Sequence, residues 1–168
     1  MTLLFLRHGQ TDWNAQGLFQ GRTDVPLNET GREQARAQAL ALVSHEPPVD
    51  VIYASPLLRA RETAEIVQQA LEVPIYFDER LVERCFGKLE GTLIVRGLGE
   101  EGLARHGAES FSALHERIKG FLNDIAARHP GQCVLMAAHG NVGRMVQHCC
   151  RGGESVRIEN GALAQYEI

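Results

Sequence analysis

Short apolar runs alternate along this chain with longer segments in which apolar residues recur every three or four positions. The short runs predict five strands, with the sequences TLLFL, DVIYAS, VPIYF, QCVLMAAHG and ALAQYEI. The segments with helical spacing predict helices within residues 25–46, 57–71, 111–125 and 141–150. Repeated strand–helix units of this kind predict an α/β fold, in which a mostly parallel sheet carries helices on both faces.

The first long helix has a recognisable start and stop in the sequence. Thr30 is a plausible N-cap because Glu33 follows it at the spacing of a capping box, and two prolines end the segment after residue 46. The predicted core face of this helix consists of Ala35, Ala39, Leu40, Leu42 and Val43. Residues 78–109 show no regular period and predict a long excursion from the sheet. Because no linker or internal repeat interrupts the pattern, we predict that residues 1–168 form one domain.

Composition narrows the possible functions. The net charge of −4 argues against nucleic acid as a partner, since a basic face is missing. Of the 17 basic residues, 15 are arginine. Two explanations of that count are open. One is a coding bias toward arginine, and the other is that some of the guanidinium groups bind oxyanions. The four cysteines form no C-x-x-C pair, which predicts reduced thiols in a cytoplasmic protein. No apolar run approaches the length of a membrane span.

Two arginines and two histidines follow the ends of three predicted strands. Arg7 and His8 follow the first strand, Arg59 follows the second and His139 follows the fourth. Ligands of open α/β sheets bind beyond the carboxyl ends of the strands, and helix N-termini near two of these ends favour an anion. Guanidinium groups match the oxygens of a phosphoryl group. We therefore predict a phosphate site, in which Gly9 lets the backbone approach the ligand and His8 attacks the phosphorus.

Phosphoester cleavage also needs an acid for the leaving group. Glu83, between an apolar stretch and a glycine-containing loop, is one candidate, although its spacing alone favours an ordinary loop carboxylate. Metal-assisted cleavage is not indicated, because the strand ends carry cationic side chains rather than paired carboxylates. The G-x-G-x-x-G pattern at residues 97–102 is not read as a dinucleotide site, since two glutamates within it would repel a pyrophosphate.

Several motifs together resemble a known family. The segment LRHGQTDWN is similar to the R-H-G-x-T-x-x-N signature of the histidine phosphatase superfamily, specifically of its phosphoglycerate mutase-like branch. Further similar segments follow in the family's order: GLFQGRTDVPLNETGREQA, ASPLLRARETA, LVERCFGKLEG, GAESFSALHERI and AAHGNVGRM. The resemblance covers nearly the whole chain and implies a three-layer α/β/α sandwich with a short excursion that forms a lid.

The resemblance also implies a role for each polar residue at the strand ends. It implies that His8 is the nucleophile and becomes a phosphohistidine, and that Glu83 protonates the leaving group and later activates water. Arg7, Arg59 and His139 are implied to hold the phosphoryl oxygens. Further implied phosphate or substrate contacts are Asn14, Gln20, Gly21 and the backbone of Gly140. No metal or organic cofactor is implied.

The sequence therefore predicts a metal-independent phosphomonoesterase that acts on small phosphorylated metabolites. A phosphoglycerate mutase is the alternative, because ERCFG resembles the mutases and sugar bisphosphatases whereas the Q-G pair is typical of phosphatases. The short lid offers only Arg96, Arg105 and His106 to a second anionic group, which favours hydrolysis. A binding module without turnover is a third hypothesis, against which the complete set of nucleophile and acid argues. We expect a cytoplasmic monomer or homodimer with no nucleic-acid or membrane partner.

Overall fold

Five strands form one central sheet in the computed structural model, which describes residues 1–95, 97–153 and 156–168. They are β1 (Thr2–Arg7), β2 (Val51–Ala54), β3 (Ile75–Phe77), β4 (Cys133–Ala138) and β5 (Leu163–Glu167). Their order in space is β3-β2-β4-β1-β5. β5 runs antiparallel to β1, and the other neighbouring strands pair in parallel. The predicted strands and the mostly parallel sheet are confirmed.

Six α-helices accompany the sheet in the described ranges. They are α1 (Asp12–Gln16), α2 (Glu29–Val43), α3 (Leu58–Leu71), α4 (Gly99–Arg105), α5 (Phe111–Arg128) and α6 (Gly140–Arg151). Short 3₁₀ turns span Glu79–Leu81 and Gly87–Leu89. The four long helices are confirmed. The sequence pattern missed α1 and α4, because both are short and neither contains a buried residue that would create a period. None of the described helices is long and apolar enough to cross a membrane.

The two faces of the sheet bury separate cores, because side chains alternate along each strand. Leu3 and Phe5 of β1 face one core, which α5 and α6 cover with Ile118, Phe121, Val142 and Met145. Leu4 and Leu6 face the other core, which α2 and α3 cover with Ala39, Leu42, Ala64 and Val67. The fold is therefore an α/β/α sandwich, as predicted.

Two predicted details of α2 are wrong. Its N-cap is Asn28 rather than Thr30, since the Asn28 Oδ1 accepts from the Gly31 N–H at 2.9 Å. Asparagine is among the strongest N-caps, and a cap two residues earlier puts Thr30 within the first turn. Leu40 and Val43 point to solvent with 74% and 61% exposure, so the core face of α2 is narrower than predicted.

The strand register brings the predicted site residues to one edge of the sheet. Arg7 pairs with Ala138 in the β1–β4 ladder, and the N–H of His8 donates to the Ala138 carbonyl at 2.9 Å. His8 and His139 therefore leave neighbouring strands at the same level. Ser55 leaves β2 beside them, because its N–H continues the ladder to the Ala137 carbonyl at 3.0 Å.

Candidate active site

His8 lies buried at the end of β1, with only 3% of its surface exposed. Its Nδ1 is 2.6 Å from the carbonyl oxygen of Gly9. A carbonyl only accepts hydrogen bonds, so this contact assigns the proton to Nδ1 and leaves a lone pair on Nε2. Burial, and then the charges of Arg59 and Arg7, hold the pKa of His8 well below its usual value. The imidazole is therefore neutral near pH 7 and has a free nitrogen.

His139 follows β4 and is fully buried, with its ring centroid 5.2 Å from that of His8. Its Nε2 lies 2.8 Å from the Ser55 hydroxyl, which also accepts from the Leu57 N–H at 3.3 Å. We assign the hydroxyl as the donor to Nε2, which places the remaining imidazole proton on Nδ1, the nitrogen without a partner among the described residues. Burial is the main cause that holds the pKa of His139 well below its usual value, and Arg59 lowers it further. His139 is thus a neutral donor.

Arg7 and Arg59 bring two buried guanidinium groups to the same place. The Arg7 side chain donates to the Ile158 carbonyl at 2.7 Å and packs against Gly140 at the start of α6. Arg59, in the first turn of α3, is fully buried and donates to the Thr23 carbonyl at 2.9 Å and the Gly21 carbonyl at 2.7 Å. Burial lowers the pKa of Arg59 to about 10, so the group stays charged near pH 7.

Three buried side-chain nitrogens have no hydrogen-bond partner within the described residues. They are Nε of Arg7, Nε of Arg59 and Nδ1 of His139. Unsatisfied buried polar atoms are uncommon in folded proteins, and all three of these carry a hydrogen to donate. Arg7 and Arg59 line the cleft together with His8, so their guanidinium groups suit a polyoxyanion there. They therefore support the predicted phosphate site.

Glu83 lies at the wall of the same cleft and is 7% exposed. Its Oε1 accepts from the Arg84 N–H at 2.9 Å, and its Oε2 accepts from the N–H and the side-chain amide of Asn141 at 3.2 and 3.4 Å. These contacts hold the carboxyl group at the start of α6. The geometry thus joins Glu83 to the strand-end residues, which its spacing in the sequence could not do.

The remaining predicted contacts have different places in the site. Asn14 lines the cleft, and its Oδ1 accepts from the Asn160 side chain at 3.2 Å, so its Nδ2 is available to a ligand. Gln20 is 8% exposed and accepts from the Thr11 hydroxyl at 2.9 Å. Gly21 adopts a φ of 53°, a conformation that favours glycine, and its carbonyl orients Arg59.

Two backbone groups near the site have close partners within the chain. The approach of α2 requires Gly9, because a Cβ on Gly9 would collide with the Gly31 carbonyl; the role of Gly9 in admitting a ligand stays a prediction. The N-terminus of α3 is also covered, since the Leu58 N–H donates to the Asp24 carboxylate at 2.7 Å. Of the two helix N-termini that the sequence placed near the site, that of α6, which starts at Gly140, lies at the cleft.

The predicted site residues surround an open cleft of about 760 Å³. His139, which is fully buried and contacts Ser55, is not among the lining residues, whereas the other eight predicted site residues line the cleft. Of the predicted lid cations, Arg105 is 80% exposed in its side chain and, like His106, does not line the cleft. Arg96 lies outside the described residues. Polar cleft residues that the sequence did not indicate include Arg84, Glu100, Asn141, Arg144 and Arg157.

Asn160 is a further residue that the sequence did not indicate. Its side-chain amide donates to the carbonyls of His8 and Gly9 at 3.1 and 3.3 Å, and so supports the group that fixes the His8 tautomer. No short-range signal reveals this contact, because 152 residues separate Asn160 from His8. Within the described ranges, no group of three or more His, Cys, Asp or Glu residues is arranged to hold a metal ion.

Comparison with known proteins agrees with this geometry. The histidine phosphatase superfamily (branch 1) profile matches residues 3–166. The chain is 35% identical to the uncharacterized phosphatase PhoE of Bacillus subtilis, over 97% of this chain and 86% of that protein. It is also 35% identical to a metal-independent phosphoserine phosphatase of Arabidopsis thaliana, over 86% and 66% of the two chains.

A crystal structure confirms the similarity in three dimensions. TTHB049 from Thermus thermophilus superposes with a TM-score of 0.79 at 33% identity, over 99% of this chain and 94% of that chain. The sequence match therefore extends to the overall fold. This chain belongs to the histidine phosphatase superfamily, and it is an enzyme of the histidine phosphatase type.

Proposed function

We propose that this enzyme hydrolyses phosphomonoesters through a phosphohistidine on Nε2 of His8, without a metal ion. The observation that carries the proposal is that the cleft is lined by the guanidinium groups of Arg7 and Arg59 and by the neutral His8, whose ring centroid lies 5.2 Å from that of the donor His139. Two positive charges and a neutral donor match the charge and shape of a phosphoryl group. The relative named as a metal-independent phosphatase also supports the proposal.

In the first half of the reaction, Nε2 of His8 attacks phosphorus and the bond to the ester oxygen breaks. Glu83 gives its proton to the leaving oxygen, and the alcohol departs. The phosphorylated ring carries a positive charge, which the Gly9 carbonyl stabilises through Nδ1–H. Arg7, Arg59 and His139 donate to the phosphoryl oxygens throughout, so that the transferring group never lacks partners.

In the second half, water attacks the phosphohistidine and the P–N bond breaks. The Glu83 carboxylate accepts a proton from the water, inorganic phosphate forms, and His8 returns to its neutral state. The half-open cleft gives water access to this step. Each group ends the cycle in the protonation state in which it began.

Replacement of His8 tests the proposal directly. We expect His8→Ala to lower turnover of p-nitrophenyl phosphate by about 1000-fold or more, because no other group takes over the covalent step. The wild type should trap an acid-labile, base-stable phosphoryl label, and the variant should not. EDTA should leave wild-type turnover unchanged. His45→Ala, outside the cleft, is the matched control.

Several outcomes would contradict the proposal. A His8→Ala protein with more than about one hundredth of the wild-type rate would exclude His8 as the nucleophile. Loss of activity in EDTA and its return with a divalent ion would exclude the metal-independent route. Phosphate binding without any turnover by the wild type would identify a binding module instead.

The mutase alternative is tested with 3-phosphoglycerate and catalytic 2,3-bisphosphoglycerate. A mutase has to hold a second anionic group of its substrate while it keeps water from the phosphohistidine. Arg84, the cation next to Glu83, already binds the Glu100 carboxylate through two hydrogen bonds. We therefore expect free phosphate as the product. Rapid formation of 2-phosphoglycerate with little free phosphate would make the enzyme a mutase.

A further inference from the structure

The cleft has two chemically different ends. Arg144 and Arg157 line the cleft with Arg7, and their charges add to burial in lowering the pKa of Arg7, so we take this end as the phosphate end. The opposite end would receive the leaving group, and its wall is mainly apolar. The apolar side chains there are Leu18, Phe86, Ile94, Val95, Leu98 and Leu103.

Lid residues form most of this apolar end. Leu98 and Leu103 pack against the small core of Phe19 and Phe86, which anchors α4 beside the cleft. Ile94 and Val95 remain 55% and 57% exposed although they line the cleft. A ligand that covered them would remove apolar surface from water, which favours an apolar leaving group.

One cation also lies at this end, but a carboxylate already holds it. The Arg84 guanidinium donates to the two carboxylate oxygens of Glu100 at 2.9 and 2.7 Å, and its Nε donates to the Glu109 carbonyl at 2.8 Å. All three nitrogens of Arg84 are therefore occupied, and its side chain is only 7% exposed. Glu100 itself lines the cleft and has 56% of its side chain exposed.

The charge of Glu100 is stable near neutral pH. The hydrogen bonds from Arg84 are the main cause that lowers the pKa of the Glu100 carboxyl. An anionic leaving group would have to displace this carboxylate from Arg84, or lie unpaired beside it. Both arrangements are unfavourable, whereas an uncharged leaving group disturbs neither residue.

We propose that Glu100 is a specificity-determining residue, which keeps Arg84 from anionic leaving groups and restricts the enzyme to phosphomonoesters of uncharged, apolar alcohols. This inference rests on the proposed phosphatase function. According to this inference, the Arg84–Glu100 pair discriminates between substrates by the charge of the leaving group. The apolar wall then binds the uncharged leaving groups that the pair admits.

The test compares two substrates that release almost the same alcohol, 3-phosphoglycerate and its methyl ester. They differ by one carboxylate charge, so intrinsic reactivity largely cancels. We expect the wild type to prefer the ester. Glu100→Gln should raise kcat/KM for 3-phosphoglycerate by about tenfold and leave kcat/KM for the ester nearly unchanged, because Arg84 is released to bind the substrate carboxylate.

Glu101→Gln is the matched control. Glu101 is the next residue of the same helix, has a side chain that is 95% exposed, and does not line the cleft. The control removes the same charge from the lid, so its ratio of the two specificity constants should remain that of the wild type. Hexyl phosphate should also be a better substrate than ethyl phosphate, since only the longer chain reaches the apolar wall.

Binding of non-hydrolysable compounds separates failure of this inference from failure of the proposed function. Calorimetric titration of butylphosphonate and 3-phosphonopropanoate should show the same preference, and the same change in Glu100→Gln, without turnover. The inference is wrong, and the phosphatase function stands, if the wild type hydrolyses 3-phosphoglycerate and its methyl ester with equal kcat/KM and Glu100→Gln does not alter the ratio of these two constants. Equal shifts in Glu100→Gln and Glu101→Gln would also overturn it. Selective phosphonate binding without hydrolysis of any ester would support the selectivity and overturn the function.

Discussion

The two buried histidines should make the folded enzyme unusually sensitive to mild acid. His8 and His139 are held neutral in the folded chain, because burial and then the nearby Arg59 lower both pKa values. In the unfolded chain each has an ordinary pKa of about 6.5. As pH falls through 6.5, the unfolded state therefore takes up protons that the folded state does not, and the free energy of unfolding decreases.

The size of this effect follows from the linkage relation. Consider one histidine that stays neutral in the folded chain. Relative to high pH, protonation of that histidine stabilises the unfolded state by about 0.2 kcal/mol at pH 7 and by about 1.4 kcal/mol at pH 5.5. Two such histidines lower the free energy of unfolding by about 2.5 kcal/mol between pH 7 and pH 5.5. Carboxyls with lowered pKa values, such as Glu100, lose their stabilisation nearer the ordinary value of 4.5, below this window.

Urea denaturation in phosphate-free buffers at pH 7.0, 6.5, 6.0 and 5.5 measures the decrease. His139→Asn should reduce it to about half, because only one buried histidine then remains. The same substitution at His45, which lies outside the cleft, controls for removal of a histidine. A free energy of unfolding that stays constant within about 0.5 kcal/mol over this range would refute the reasoning, since it would mean that burial does not keep these rings neutral.

Three further predictions concern single contacts. Glu83→Gln should slow an alkyl phosphate at least about tenfold more than p-nitrophenyl phosphate, whose leaving group needs little protonation; equal losses in kcat/KM would point to another acid. Ser55→Ala should raise the inhibition constant of inorganic phosphate about fivefold to tenfold, because nothing then holds the His139 proton on Nδ1; an unchanged constant would contradict the assigned tautomer. In urea denaturation, Gly9→Ala should destabilise the fold by more than about 2 kcal/mol, whereas Gly120→Ala, in an open helical position, should stabilise it by up to about 1 kcal/mol; similar effects at both sites would refute the close approach at Gly9.

The sequence by itself determined the architecture and indicated most of the polar residues that the fold brings to the cleft. Short, continuous apolar runs identify the buried strands β1 and β4. Apolar residues at helical spacing identify the long helices that cover them. Parallel strands carry their carboxyl ends to one edge, so the positions of His8 and His139 followed from the pattern alone. These properties are local or depend only on the order of elements, and a single chain displays them directly.

The tertiary structure alone decided which contacts these residues make. The tautomer of His139 depends on Ser55, which is 84 residues away, and the support of the His8 loop depends on Asn160. The engagement of Arg84 by Glu100 depends on α4, a helix too short to produce a period. Such contacts join side chains whose separation along the chain carries no pattern. Their partners are chosen by packing and by the requirement that buried polar groups be satisfied, and both operate only after the chain has folded.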